Sequence, residues 1–276
     1  YGGILSVQGG TTTVSDCTFT GGVANLGGAV ATSGNSAAVV NMSNCTFTGS
    51  NGYNGGALGA ENGTINASNC TFTESTATYG GAVATLTAGV VNLTDCEITN
   101  TTATGRGGAC YVYAGTKECD LSLKNTNITN CVAPNGGGII VWGKGHVVMN
   151  GGSISGCEAT TGAGAGFYLA NSGWTSAGPV VTLDGVTISD CASVTSGGGI
   201  YVSNTSKTSN NVTTVYTPCL LTVQNCTLSG NSTSKAGQFG GNIYSAVTGG
   251  GYDRLSGTSM ACPNLAGVTI LLRQYV

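Results

Sequence analysis

The chain repeats itself, and its landmarks stay in register from copy to copy. SDCTFT is followed by GGAV, SNCTFT by GGAL, SNCTFT by GGAV and TDCEIT by GGAC, the Gly-Gly pairs starting at Gly27, Gly55, Gly80 and Gly107. They continue at Gly136, at a degenerate Gly164, and at Gly197 and Gly240, so the spacings run 28, 25, 27, 29, 28, 33 and 43 residues. A unit of this size cannot close a core alone and buries its apolar residues by stacking on its neighbours, which defines a solenoid.

The period inside each unit decides which solenoid, because helices need apolar residues three and four apart and strands need them two apart. With the Cys of SDCTFT as position zero, minus five holds Thr12, Val40, Ile65, Val91, Leu121, Val147, Val181 and Leu221. Minus three holds Val14, Met42, Ala67, Leu93, Leu123, Met149, Leu183 and Val223. Plus two holds Phe19, Phe47, Phe72, Ile98, Ile128, Ile154, Ile188 and Leu228. The period is two, and a polar pair such as SD, SN or TD separates the two strands with turn chemistry. A third strand follows each Gly-Gly and carries Val30, Leu58, Val83, Cys110, Ile139, Phe167, Ile200 and Ile243. The fold class is therefore all-β: a parallel β-helix of about eight three-strand coils over residues 1–246, a rod of about 40 Å at the inter-strand spacing. Strand twist and parallel crossovers favour the right hand.

Residues 247–276 depart from the pattern. Leu265, Val268, Leu272 and Tyr275 fall on one helical face, so this tail reads as a short helical segment that caps or docks on the solenoid.

Charged residues make up 7% of the chain and the net charge is −3, which leaves no basic face for nucleic acid. No stretch reaches the eighteen or so apolar residues of a membrane span. No motif calls for a cofactor or a metal. Twelve cysteines point to an oxidising compartment. Cys17, Cys45, Cys70 and Cys96 form one column, and Cys131, Cys157 and Cys191 another at plus five; stacked bridges and a reduced ladder of small apolar groups are both open. Cys110 and Cys119, flanking the turn AGTKE, make the best single bridge. Tyr1 opens in mid-pattern, so the sequence reads as a mature product or a fragment of something longer.

Asn-X-Ser/Thr acceptors occur at Asn41, Asn44, Asn62, Asn66, Asn69, Asn92, Asn100, Asn127, Asn204, Asn211, Asn225 and Asn231. Asn44, Asn69 and Asn225 sit at the turn before position zero, where a glycan would project without disturbing a coil. Loops at Ala170–Pro179 and Ser203–Pro218 are the longest and carry the exposed-aromatic candidates Trp174 and Tyr216. Positions plus one and plus three place ranks of hydroxyls outward, which resemble the Thr-X-Thr arrays of ice-binding solenoids. Glu97 and Asn127 interrupt them.

The alternation of Cys-Thr-Phe-Thr with Gly-Gly-Ala-apolar over residues 1–246 resembles the repeat of the chlamydial polymorphic membrane proteins. The resemblance implies a surface-exposed β-helix with adhesive or structural service. The family's Phe-X-X-Asn half appears only as Leu228-Ser229-Gly230-Asn231, and no outer-membrane barrel follows.

In the tail, Ser256-Gly257-Thr258-Ser259-Met260-Ala261-Cys262-Pro263-Asn264 and on to Val268 resembles the segment around the nucleophile of subtilisin-like peptidases. That resemblance makes Ser259 the nucleophile, although Asn264 stands where the family has His. The only His is His146, and nothing around it resembles the family's His or Asp motifs, so the chain alone does not assemble a triad.

Three classes of function follow. The preferred expectation is a secreted or cell-surface structural glycoprotein, adhesin-like or the subunit of an extracellular filament, with itself or a surface component as partner. The alternative is a subtilisin-like peptidase, or an inactive fragment of one, carrying the β-helix as an inserted domain. An ice-binding or polysaccharide-binding solenoid is the lesser alternative, and the clustered acids of a polysaccharide-degrading β-helix do not appear.

Overall fold

A computed structural model describes residues 1–34, 38–171, 177–203, 206–209, 212–215, 219–234, 240–246, 252–255 and 270–273. The chain winds as a parallel β-solenoid in which each strand pairs with its equivalent one coil away. Thr46–Thr48 lies between Thr18–Thr20 and Thr71–Thr73, and Gly63–Ser68 lies between Ala38–Ser43 and Val90–Thr94. Among the described residues there is no α-helix, and no helix long and apolar enough to cross a membrane.

The predicted files are the core. Val40, Ile65, Val91, Leu121, Val147, Val181 and Leu221 are fully buried, as are Leu58, Ile139, Phe167 and Ile200 across from them. Phe19, Phe47 and Phe72 form one internal row, with ring centroids 4.6 and 4.8 Å apart and planes within 16° of parallel. The spacing is that of the strands themselves, so the rings stack face to face because the backbone register imposes it.

Each coil has four strands, not three. After the Phe-bearing strand a short strand intervenes, Asn51–Asn54 in one coil, Thr76–Tyr79 in the next and Thr102–Arg106 after that, and these form a separate sheet of eight strands. Hydrophobic alternation does not announce it because its inward file at plus seven is small: Gly52, Ala77, Ala103, Ala133, Ala159 and Ser193 are all buried.

Backbone crowding explains both the small file and the Gly-Gly pair. The first glycine turns the corner with φ between +56° and +73° in every coil. A Cβ on the second, Gly81, would stand 2.0 Å from the Gly108 carbonyl oxygen and 2.8 Å from the Thr102 nitrogen, the start of the intervening strand one coil on. The corner before position zero is also left-handed, with φ of 47° to 54° at Asp16, Asn44, Asn69, Asp95, Asn125 and Asn225. Asn and Asp enter this region more readily than other L-residues because their short side chains satisfy local hydrogen bonds.

At the far end, Ile243–Ala246 pairs antiparallel with Tyr252–Leu255, and Ser206–Ser209 with Val212–Val215. The helical reading of the tail fails at Leu272: Ile270–Arg273 is a strand, parallel to Leu221–Gln224. An open sheet edge offers unpaired N–H and C=O groups that a short apolar segment can satisfy as a strand. Leu265, Val268 and Tyr275 lie outside the described residues.

Candidate functional site

The outward polar files carry the candidate chemistry, and they are ordered by side-chain ladders. At minus four, Asn66 Nδ2 donates to Asn41 Oδ1 at 2.8 Å and Asn92 Nδ2 donates to Asn66 Oδ1 at 2.8 Å. At the left-handed corner, Asn44 Nδ2 donates to Asp16 Oδ1 at 3.0 Å and Asn69 Nδ2 to Asn44 Oδ1 at 3.5 Å. Asn225 Nδ2 donates to Asp184 Oδ1 at 2.8 Å.

These bonds sort the sequons, because an N-glycan is attached through Nδ2. Asn231 spends that nitrogen inward, on the Ile188 carbonyl at 2.9 Å and Asn242 Oδ1 at 3.0 Å, while its Oδ1 accepts the Cys191 amide at 3.0 Å. A glycan there would replace one of the two Nδ2 hydrogens and so break at least one of these bonds. Asn44, Asn69 and Asn225 are exposed, and a glycan would replace one solvent-facing bond. Asn127 is exposed and uses only its oxygen, accepting from Ser153 Oγ at 2.9 Å, and Asn100 is an exposed corner residue with φ 54°. Asn62 is half-buried at a left-handed turn. Asn204 and Asn211 lie outside the described residues.

All the described cysteines are free thiols. The bridge expected between Cys110 and Cys119 is not formed, because the two stand in different files: Cys110 is in register with Val83 and Ile139, while Cys119 is in register with Gly145 and its Sγ donates to the Thr85 carbonyl at 3.7 Å. Burial pushes the Cys110 thiol up, and pushes Cys119 and Cys219 up to about 12. Cys157 is held well above its ordinary range by its hydrogen bonds to Cys131 and then Cys191, and by burial. Thiols in this state are protonated at neutral pH and serve as small packing groups, since the thiolate is the nucleophile.

Two groupings escaped the sequence reading. His146 Nδ1 and Asp120 Oδ1 are 3.2 Å apart on adjacent coils, both about half exposed, so the pair is a surface contact of small energetic weight. Asp120 and His146 share position minus six, and reading that file would have found them. The second is an aromatic face built from the strands that follow the Gly-Gly pairs and from the ends of the intervening strands Thr76–Tyr79 and Thr102–Arg106. Tyr79 stacks on Tyr111 at 5.0 Å, Tyr168 meets Tyr201 at 5.0 Å, and the Arg106 guanidinium sits 3.9 Å over the Trp142 ring. Its signal was the file Tyr111, Ile140, Tyr168 and Tyr201, one residue past the core file, in which Tyr111 and Ile140 are buried in a second apolar cluster. Ser259, Trp174 and Tyr216 lie outside the described residues.

Among the described residues no group of three or more His, Cys, Asp or Glu side chains is arranged to hold a metal ion. An open cavity of about 370 Å³ lies on the minus-four face, lined by the amide ladder and flanking hydroxyls. No family model matches the chain, and no curated protein or solved structure matches it. What stands is a β-solenoid of stacked parallel coils; the two resemblances rest on the quoted residues alone.

Proposed function

We propose that this chain is a secreted or cell-surface structural glycoprotein, an adhesin-like rod or the subunit of an extracellular filament built by end-to-end stacking of coils. The carrying observation is the continuity of the files: the described coils stack in register, with equivalent positions facing inward and equivalent strands paired from coil to coil. A coil of the same pattern from a second copy would continue these files in register. The resemblance of the repeats to surface-displayed bacterial adhesins supports the same reading, and the exposed Asn44, Asn69, Asn100, Asn127 and Asn225 supply places for N-glycans. Electron microscopy of the purified glycosylated protein should show rods joined end to end; isolated monomers without glycan mass would overturn the proposal.

The tail string from Ser256 to Val268 supports a second reading, a subtilisin-like peptidase or a fragment of one. A serine-directed fluorophosphonate probe should then label Ser259 in the native full-length product. No labelling disposes of it.

A further inference from the structure

We infer that the minus-four face of the early coils is a binding groove for a neutral glycan strand lying along the rod. The inference deepens the surface-adhesin reading and rests on it. Thr13, Asn41, Asn66, Asn92 and Ser122 stand in register on successive coils, and the parallel file at minus two holds Ser43, Ser68 and Thr94. The cavity of about 370 Å³ between them is open to solvent and within the range of small-ligand sites, about 300–1,000 Å³.

The chemistry of the lining selects the occupant. A primary amide has two N–H donors and an oxygen with two lone pairs. In the ladder Asn66 spends one donor and one lone pair, so its second N–H and remaining lone pair stay available to a ligand. The flanking Ser and Thr hydroxyls add further donor–acceptor groups. Vicinal sugar hydroxyls are donor and acceptor at once and meet both halves of each rung. No residue of the lining is charged, so neither an anionic nor a cationic ligand finds a counter-ion there. Met42 and Ala67, its apolar members, face the core and leave no pocket for an apolar side chain. Rungs recur at about 4.8 Å, so an extended chain parallel to the axis meets equivalent groups repeatedly.

Asn66 and Asn92 are half-buried in the ladder, unlike the exposed Asn44, Asn69 and Asn225, and a glycan on either would lie in the groove itself, so these two sequons serve the groove and carry no glycan of their own. Peptide mapping of the glycosylated protein should find both unmodified.

The binding test uses the full chain made in bacteria, so that all sequons are bare. Cellohexaose, mannohexaose and laminarihexaose are titrated by calorimetry, with hexagalacturonic acid as the charged control. At least one neutral hexamer should bind with an affinity unchanged from low to high salt. Asn66→Ala should weaken it about tenfold or more, and Asn127→Ala, on a different face, should leave it unchanged. Ser68→Ala, which spares the ladder, should weaken it a few-fold and decides the matter if Asn66→Ala does not fold. Binding of none of the neutral hexamers overturns the inference. So does salt-sensitive binding of hexagalacturonic acid alone, or neutral binding that Ser68→Ala and a folded Asn66→Ala both leave intact. Microscopy of the same sample separates the two readings: filaments without sugar binding count against the groove, not against the rod.

Discussion

Coils before Lys124 and coils after it fill the same cross-section with the cysteine on opposite sides. In the early coils Cys45, Cys70 and Cys96 occupy position zero and Ser50, Ser75 and Thr101 stand buried at plus five. In the later coils Thr126, Gly152 and Val186 occupy position zero and Cys131, Cys157 and Cys191 take plus five. The exchange is made between the coils of Cys96 and Thr126 and is reversed in the coil of Cys226, which has Asn231 at plus five. At the join Thr101 Oγ1 donates to the Gly108 carbonyl at 2.7 Å and lies 3.3 Å from Cys131 Sγ, so the hydroxyl file hands over to the thiol file without an unpaired group. The difference teaches that a solenoid core is conserved as a sum across each coil: one side can shrink where the other grows, and close packing survives. The row at plus two follows the same rule, with Phe19, Phe47 and Phe72 giving way to Ile98, Ile128 and Ile154.

The sharpest way to break this comparison is at the second glycine of the Gly-Gly pair. In the early coils a Cβ at Gly81 has a backbone oxygen 2.0 Å away, whereas Ala165 occupies the equivalent position of a later coil and is fully buried there. Gly81→Ala should therefore destabilise by more than about 4 kcal/mol or prevent folding of its coil, while Ala165→Gly should cost only about 1 kcal/mol. Denaturant unfolding of both variants measures the contrast, and equal effects would contradict the crowding account.

Next in size is the aromatic row. Phe47→Ala removes the middle ring of the stack and should cost about 3–5 kcal/mol, against about 0.5–1.5 kcal/mol for Ile128→Val in a later coil. A broad or biphasic transition is expected in the first variant, because damage to one coil of a linear array unfolds its neighbours before the rest.

Smaller effects sharpen the hydroxyl file. Thr101→Ala loses the buried bond to Gly108 and should cost about 1–2 kcal/mol. Ser50 Oγ is buried without a partner, so Ser50→Ala should leave thermal stability unchanged or raise it by up to about 1 kcal/mol. A loss on Ser50→Ala as large as that on Thr101→Ala would mean that the two positions are not distinguished by hydrogen bonding.

The smallest effect is chemical. In native protein at neutral pH, iodoacetamide should modify exposed Cys17 and leave Cys119, Cys131 and Cys157 untouched until the chain unfolds, read by mass spectrometry. Burial raises the folded-state value of Cys119 and Cys219 from 9.0 to about 12. Their contribution to stability is therefore complete below pH 9 and is lost as the pH climbs from 9 towards 12, so alkaline unfolding should begin in that window. Cys119→Val should blunt it.

The sequence alone determined the class of fold, the inward files and the Gly-Gly corners. Side-chain alternation is a local property, and eight imperfect copies of it set Phe47 above Phe19 without reference to anything distant. The fourth strand stayed hidden because its buried positions are Ala and Gly, which leave no hydrophobic signal. What only tertiary structure decided depends on the neighbour one coil away, a distance that varies from 25 to 43 residues. That neighbour joins Asn66 to Asn41 and Asn92, turns the amide of Asn231 inward, sets His146 beside Asp120, sends Cys110 and Cys119 to separate files, and lays Ile270–Arg273 along an open edge as a strand. Alternation along a strand is written in adjacent residues; hydrogen bonding between coils is written in the register, and register exists only once the chain has wound.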